Sequence, residues 1–154
     1  MPDTAATLLA APIDLNDQPG HLIRRAHQIA VASFHQHLGR EVTPVQYAMM
    51  RMLQAKPGID QATLAQEVAL DTSTTADIAV RLESKGWISR AVLARGQRSL
   101  ALTEAGAVLL ETLVPGMQDM QVQLMDGLEA EERQELLRLL RKFIAPDSER
   151  RQAR

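Results

Sequence analysis

The sequence predicts a mainly α-helical fold with one small β-wing. Leu, Ala and Met are abundant while aromatic residues make up only 3% of the chain, a balance that favours helices packed on helices over stacked sheets. Capping residues precede one apolar-periodic segment after another, as expected of consecutive helices. Only the stretch between Gly86 and Thr103 alternates apolar and polar residues around a Gly-containing tip, which is typical of two paired strands.

The composition excludes several classes of protein. With 154 residues and 45% hydrophobic residues, the chain can bury a sizeable core within one unit. The absence of cysteine excludes disulfides, thiolate metal sites and thiol chemistry. No cation precedes Arg24, the first apolar run is too short for a signal peptide, and no apolar run reaches membrane length. We therefore expect a cytoplasmic protein with no cofactor and no membrane contact.

Charge is distributed unevenly along the chain. The net charge is −2, yet residues 81–102 hold five cations and a single acid, Glu83. Residues 104–145 hold eight acids and four cations. One part of the protein is therefore suited to face phosphates, and the other is not.

Residues 18–38 have the periodicity of an amphipathic helix. All four histidines lie there, at spacings of six, eight and two residues, which do not match the four-residue spacing of helical metal ligands, so we expect no metal site. A polar stripe on this helix suits an organic carboxylate or another anion, although a solvated or subunit-facing stripe explains it equally well. The stripe consists of His21, Arg24, Gln28 and His35.

The next two helices begin at clear capping signals. Thr43 precedes Pro44, which suits the first helical position, and Gln46 lies three residues after the cap, as in a capping box. A Pro-Gly pair at 57–58 ends this second helix. Asp60 then caps a short third helix.

Residues 70–90 predict a DNA-reading element. Asp71 is a good N-cap, and Gly86 stops the helix. One face of this fourth helix is apolar and would be buried. The opposite arc carries Ser73, Thr74, Asp77, Val80, Arg81 and Ser84. A short helix, a tight connection, a second capped helix and an extended segment follow the order of a helix-turn-helix with a wing.

The predicted wing has strands at 87–93 and 98–102 around a tip at 94–97. Thr103 then caps a long helix to about Met125, in which Pro115-Gly116 predicts a kink or a break. The last helix carries acids early and cations late, together with an apolar stripe. Because the first and last helices are too apolar for solvent, we expect a self-complementary dimer.

These signals divide the chain into three parts. Residues 1–17 form an N-terminal arm that packs on a partner subunit or frays as a free terminus, and residues 146–154 form a disordered tail. The single unit between them spans 18–145. Within it, the winged helix-turn-helix covers approximately 44–102, and the dimerisation helices cover approximately 18–40 and 104–145.

Taken in order, five motifs of this sequence resemble the MarR family of winged-helix transcriptional regulators, over roughly residues 20–145. The motifs are Thr43-Pro44-Val45-Gln46, Leu64-Ala65, Leu70-Asp71-x-Ser73-Thr74, Arg81-Leu82-Glu83-x-Lys85-Gly86-Trp87-Ile88-x-Arg90 and Leu102-Thr103-Glu104-Ala105-Gly106. The segment from Pro19 to Ala32 is similar to regulators of aromatic or nicotinate-type degradation.

The resemblance implies a homodimer that represses transcription from a pseudo-palindromic site on double-stranded DNA and is released by a small aromatic carboxylate or phenolic effector. The residues expected to contact DNA are Thr72, Ser73, Thr74, Asp77, Arg81, Lys85, Arg90, Arg95, Gln97 and Arg98. The residues expected to bind the effector are His21, Arg24, Gln28 and Tyr47.

The chain departs from the family pattern at positions that meet DNA. Ala76 and Asp77 stand where the family often has Thr and Arg. Asp77 either accepts a hydrogen bond from a cytosine amino group or pairs with Arg81 one turn later. The acid that commonly precedes the wing-tip Arg is missing, and we favour Arg95 over Arg98 for the minor groove because it adjoins the glycine of the tip.

Two functions of other kinds compete with this interpretation. A dimer that retains the winged helix for protein interaction without sequence-specific DNA binding would agree with Asp77 and the low net charge. A small hydrolase is disfavoured, because the histidines share one helix and the sequence has no Gly-rich nucleophile turn. We therefore expect the protein not to be an enzyme.

Overall fold

Helices dominate the architecture, and the predicted fold class, mainly α with a small β-wing, is confirmed. The computed structural model describes residues 14–146. Within that range the elements are α1 (Pro19–Leu38), α2 (Pro44–Ala55), β1 (Ile59–Asp60), α3 (Gln61–Glu67), α4 (Thr72–Ser84), β2 (Ile88–Val92), β3 (Arg98–Leu102), α5 (Glu104–Leu124) and α6 (Ala130–Ile144). The predicted arm and tail lie mostly outside the described residues, apart from a 3₁₀ turn at Leu15–Asp17.

The helix starts predicted from capping residues are confirmed. Thr43 Oγ1 accepts from the backbone N–H of Gln46 (3.2 Å), and the Gln46 side chain accepts from the Thr43 N–H (3.1 Å). Asp60 and Thr103 likewise accept from the backbone N–H three residues later. These contacts satisfy donors that have no partner within the helix, so short local signals fix where α2, α3 and α5 begin.

The core lies between the helix-turn-helix and the sheet. Met49, Met50 and Leu53 of α2 are fully buried there. The remaining core residues are Val42, Leu64, Ala79, Leu82, Ile88, Leu100 and Leu110. Because these side chains come from α2, α3, α4, β2, β3 and α5, the buried face of α4 is held by every neighbouring element of the lobe.

The turn between α3 and α4 contains a strained residue. Ala69 has φ of 54°, in the left-handed region that glycine occupies without a penalty but that disfavours alanine. The turn is closed by the Leu70 N–H, which donates to the Ala65 carbonyl (2.9 Å). The left-handed backbone at Ala69 makes the turn from α3 into α4, at some cost in stability.

The predicted hairpin is confirmed, but the sheet has a third strand that the sequence pattern did not predict. β2 pairs antiparallel with β3, from Ile88 opposite Leu102 to Val92 opposite Arg98. On the other edge of β3, Ile59 of β1 lies opposite Leu100. A two-residue strand is too short to show any periodicity, so its existence depends on tertiary pairing with β3.

Of the predicted kink or break at Pro115-Gly116, the break is wrong, because α5 runs continuously from Glu104 to Leu124. Pro115 is exposed, so water can bind the carbonyl that the proline leaves without an N–H partner. A Cβ on Gly116 would lie 2.8 Å from the His37 carbonyl oxygen. Glycine at 116 therefore allows the end of α1 to cross α5 at close range, and this packing supports the helix through the proline.

The helices at the chain ends expose many apolar side chains in the single chain, and no residue of α6 is buried. We call this surface the terminal apolar face. On α6 it comprises Leu136, Leu137, Leu139, Leu140, Phe143 and Ile144; on α1 it comprises Leu22, Ile23 and Ile29; and on α5 it comprises Val114, Val122 and Leu124. So many exposed large apolar side chains on three helices are unusual on a monomer and are typical of an interface.

Candidate nucleic-acid interface

The start of α4 is fixed by a hydrogen-bonded cap. The Asp71 carboxylate accepts from the backbone N–H of Thr74 (2.8 Å) and from its hydroxyl (2.6 Å). These bonds, first that from the Thr74 hydroxyl, lower the pKa of Asp71. Thr74, predicted to contact DNA, therefore already donates its hydroxyl proton within the helix cap.

The exposed arc of α4 agrees with the face expected from the sequence. Thr75, Ala79 and Leu82 are buried, whereas Ser73, Asp77, Val80, Arg81 and Ser84 are exposed. Within residues 14–146, Asp77 and Arg81 form no ion pair, so this structure does not contain the pairing that was one of the two alternatives for Asp77. An exposed pair of this spacing is worth only about 0.3–0.5 kcal/mol, which barely offsets the entropy of ordering both side chains.

Arg90 joins the wing to α4. Its Nε and Nη2 donate to the two carboxylate oxygens of Glu83 (3.0 and 2.9 Å), and only 18% of the Arg90 side chain is exposed. The Arg90 hydrogen bonds lower the pKa of Glu83, and the same bonds raise the pKa of Arg90. This arginine, predicted to contact DNA, has its guanidinium occupied by a structural ion pair, and its Nη1 is buried without a partner.

Lys85 also has protein partners. Its ammonium donates to the Glu41 carbonyl oxygen (3.0 Å) in the α1–α2 loop and lies 4.5 Å from the centroid of the Trp87 ring. The predicted phosphate contact of Lys85 would have to compete with both interactions. The lysine connects the end of α4 to the loop that follows α1.

The wing tip presents the cations that remain open to solvent. Arg95 has φ of 68° and Gly96 has φ of 73°, so two left-handed residues turn the chain at the tip. The turn is closed by the Leu93 N–H, which donates to the Gln97 carbonyl (2.6 Å). Arg95, Gln97 and Arg98 are all exposed. They are available for contacts with a charged surface.

A polar cavity of about 280 Å³ separates the wing from the starts of α3 and α4. It brings Thr72 together with Gln97 and Arg98, three residues predicted to contact DNA, and Asp60, Gln61, Ala62 and Gly96 complete its wall. Gln61 Oε1 is buried without a hydrogen-bond partner. Sequence reasoning missed Gln61, because an N-terminal glutamine on a short helix gives no signal of its own.

Three of the four predicted effector residues lie together on α1. Arg24 Nη1 donates to Gln28 Oε1 (3.1 Å), and Arg24 Nη2 donates to His21 Nδ1 (3.3 Å). Tyr47, on α2, is half-buried, and its ring packs edge-on against Phe34 with centroids 5.9 Å apart. The guanidinium of Arg24 is thus oriented by two side-chain partners and remains exposed, which suits it to a carboxylate.

An open cavity of about 680 Å³ lies along α1, and of the four predicted effector residues only Gln28 lines it. The rest of its wall consists of His27, Val31, Ala32, His35, Gln36 and Arg40. His35 Nδ1 donates to the Gly39 carbonyl (2.9 Å), which leaves Nε2 toward solvent. Helical spacing could have suggested these residues, since 27, 31 and 35 repeat every four positions.

The described part of the chain contains neither a metal-binding cluster nor a membrane-spanning helix. Across residues 14–146, no group of three or more His, Asp or Glu side chains is arranged to hold a metal ion. No helix within the same range is both long and apolar enough to cross a membrane.

Comparison with known proteins decides the family. The model of the MarR family matches residues 42–99, which cover α2 to the start of β3. The HTH-type transcriptional repressor NicR of Pseudomonas putida is 32% identical over 147 residues, covering 94% of this chain and 93% of that protein. The chain belongs to the MarR family. This MarR protein is accordingly a DNA-binding transcriptional regulator with a winged helix-turn-helix.

Solved structures agree with this MarR assignment over most of the chain. PcaV of Streptomyces coelicolor, solved in complex with its natural ligand, is 32% identical with a TM-score of 0.81, covering 86% of this chain and 96% of that chain. BpsR of Bordetella bronchiseptica, whose DNA binding is regulated by 6-hydroxynicotinic acid, is 28% identical with a TM-score of 0.80 and covers 86% and 98%.

Proposed function

We propose that this MarR protein is a homodimeric repressor that binds a pseudo-palindromic site through α4 and the wing, and leaves it when a small aromatic carboxylate binds beside α1. The observation that carries the proposal is the exposed arc of α4 beside the exposed cations of the wing tip. A helix of this kind enters the major groove, and a wing of this kind reaches the flanking minor groove.

The contacts of the side chains divide the predicted DNA-binding residues into two groups. The first group is exposed and would contact DNA: Thr72, Ser73, Asp77, Arg81, Arg95, Gln97 and Arg98. The second group is engaged within the protein and would position the first: Thr74, Lys85 and Arg90. Arg95 is the residue that we place in the minor groove, because its left-handed backbone lies at the tip of the turn.

Dimerisation is supported by the terminal apolar face. Two copies related by a twofold axis would bury the same face of α1, α5 and α6. Residues 18–40 and 104–145 would then act as dimerisation helices, and 44–102 as the DNA-binding lobe. The two α4 helices would meet successive major grooves about one helical turn, ~34 Å, apart.

The proposed effector site uses His21, Arg24 and Gln28 from α1 and the phenol of Tyr47 from α2. The Arg24 guanidinium would hold the carboxylate in two hydrogen bonds, while His21 and Gln28 keep its plane fixed. Support comes from the ligand of PcaV and from 6-hydroxynicotinic acid acting on BpsR. An aromatic or nicotinate-type acid is therefore the class of effector that we propose.

The contact between Lys85 and the Glu41 carbonyl offers a physical route from effector to DNA. The α1–α2 loop that contains Glu41 follows directly from the helix that carries the effector residues. A shift of α1 on ligand binding would thus act on the end of α4. The two α4 helices would have one spacing that matches the half-sites and another that does not. The ligand would shift the equilibrium between these two spacings only by the difference in its affinity for them.

The first experiment measures binding of the dimer to DNA from upstream of its own gene by fluorescence anisotropy over a range of salt. We expect tight, salt-dependent binding that 6-hydroxynicotinate or a hydroxybenzoate weakens. Binding that is absent at low salt with this and neighbouring promoters would refute the regulator function and favour the protein-interaction dimer.

The effector site is tested by calorimetry of Arg24→Ala with the same acids. The matched control is Arg25→Ala, which removes the same charge from the next, exposed position of α1. We expect at least tenfold weaker binding for Arg24→Ala, since a charged hydrogen bond is worth about 1.5–3 kcal/mol, and no change for the control. Equal affinities for both variants would remove Arg24 from the site.

A further inference from the structure

The centre of the exposed arc of α4 carries no cation. At 100° per residue, four exposed residues fall within about 60° of one another, directly opposite the buried side of the helix. They are Ser73, Asp77, Val80 and Ser84. Arg81 lies at the flank of this arc, so a carboxylate and an isopropyl group occupy the part of the helix that would penetrate the groove furthest.

Asp77 restricts which base can lie opposite it. Among residues 14–146 its carboxylate has neither a hydrogen bond nor an ion pair with another side chain. A carboxylate in the major groove is repelled by guanine O6 and N7 and needs an amino group as donor. Cytosine N4 supplies that donor with no adjoining acceptor on its own base, whereas adenine N6 adjoins N7, which repels the second carboxylate oxygen. Cytosine is therefore the base that best accommodates Asp77.

Val80 also restricts which base can lie opposite it, through an apolar contact. It is 48% exposed and lies one turn beyond Asp77 on the same arc. An apolar side chain at this position has one favourable partner in the major groove, the C5-methyl group of thymine. Burying the two methyl surfaces against each other stabilises the complex, whereas a polar base edge would lose water without gaining a hydrogen bond.

We propose that Asp77 and Val80 select a cytosine and a thymine at neighbouring base pairs in each half-site. Three residues of helix rise by about 4.5 Å, and one base pair rises by about 3.4 Å, so the two side chains reach adjacent pairs. This inference rests on the proposed binding of DNA through α4. It assigns base preference to a position where the chain departs from the usual family pattern.

The first test is selection of duplexes from a random library by the wild-type protein, by Asp77→Asn and by the control Glu67→Gln, which lies on α3 away from this arc. Asparagine pairs with adenine N6 and N7, so Asp77→Asn should change the selected cytosine to adenine and leave every other position unchanged. The control should select the wild-type motif. Because Asp77 is exposed and asparagine has the same shape, Asp77→Asn should unfold at the same midpoint as the wild type.

The outcomes separate the two proposals. A motif that is enriched by the wild type and is identical for Asp77→Asn overturns the assignment of Asp77 but leaves DNA binding intact. The absence of any enriched motif for the wild type overturns both the base assignment and the proposed function.

The second test replaces the selected thymine by deoxyuracil, which lacks only the methyl group. The wild type should bind the substituted duplex about threefold to fourfold more weakly, as expected for one buried methyl group. Val80→Ala should bind both duplexes equally. A thymine outside the half-site serves as the control substitution. Equal losses for wild type and Val80→Ala, or no loss for either, would overturn the assignment of Val80.

Discussion

Replacing Gly106 with alanine should destabilise this protein severely, although the same change usually strengthens a helix. A Cβ on Gly106 would lie 2.1 Å from the Trp87 carbonyl oxygen and 2.7 Å from Leu102 Cδ1. Carbon and oxygen in contact are normally about 3.3 Å apart, so the start of α5 and the backbone just before β2 would have to separate by roughly 1 Å. Both atoms belong to the junction between α5 and the wing.

That junction cannot relax without losing hydrogen bonds. The Thr103 N–H donates to the same Trp87 oxygen (3.0 Å), and the Thr103 hydroxyl donates to the Gly86 carbonyl (2.6 Å). Overpacking costs about 1–3 kcal/mol, and two weakened hydrogen bonds add about 2 kcal/mol, while alanine regains about 1 kcal/mol of helix propensity. We therefore expect Gly106→Ala to lose about 3 kcal/mol, which lowers Tm by roughly 10 °C in a chain of this size.

The matched control is Gly20→Ala in the first turn of α1. No atom lies within 4 Å of the Cβ that it would add, so it should stabilise the protein by about 0.4–1 kcal/mol through the unfolded state. Urea unfolding followed by far-ultraviolet circular dichroism, at one fixed protein concentration because the protein is expected to dimerise, measures both. A Gly106→Ala variant as stable as the wild type would refute the close approach of α5 to Trp87.

Three further predictions concern the turn, the ion pair and the wing tip. In urea unfolding, Ala69→Gly should stabilise the protein by about 0.5–1 kcal/mol, because glycine relieves the left-handed strain. The control Ala48→Gly, in the middle of α2, should cost about 1 kcal/mol. Equal changes in the free energy of unfolding for the two variants would contradict the strain at Ala69. Because Arg90 lowers the pKa of Glu83, the ion pair stabilises the fold above the unfolded pKa of about 4.3 and loses that effect as pH falls through the lower folded value. Glu83→Gln should therefore be less stable than the wild type at neutral pH and should approach the wild-type stability in acid. A difference in stability that stays constant across pH would contradict this. Arg95→Ala should reduce the slope of log K for DNA binding against log salt concentration by about one unit per subunit, while Gln97→Ala leaves that slope unchanged. Equal slopes for the wild type and Arg95→Ala would remove Arg95 from the interface.

Local signals predicted most of the fold. Thr43, Asp60, Asp71 and Thr103 each lie within three residues of the donors that they cap, so the sequence alone determines where those helices begin. The hairpin is equally local, because its tip and its alternation are contiguous. The errors concern non-local contacts. β1 exists only by pairing with β3, and α5 passes through Pro115 because Gly116 packs closely against the end of α1.

The candidate site was predictable in composition but not in the role of each residue. The sequence shows that residues 81–102 are basic, and the exposed cations at the wing tip agree with this. It cannot show that Arg90 is held by Glu83, seven residues earlier, or that Lys85 binds a main-chain carbonyl 44 residues away. A main-chain acceptor has no sequence signature, so such partners appear only once the chain is folded.

The ion pair between Glu83 and Arg90 has a consequence for how this regulator leaves DNA. Since α4 and β2 are joined by two charged hydrogen bonds and share one core, we expect the proposed reading helix and the wing to move together. In the proposed complex, an effector that withdraws the helix would withdraw the wing with it. We therefore expect major-groove and minor-groove contacts to be lost together, so that each half of the dimer is either seated on its half-site or detached from it.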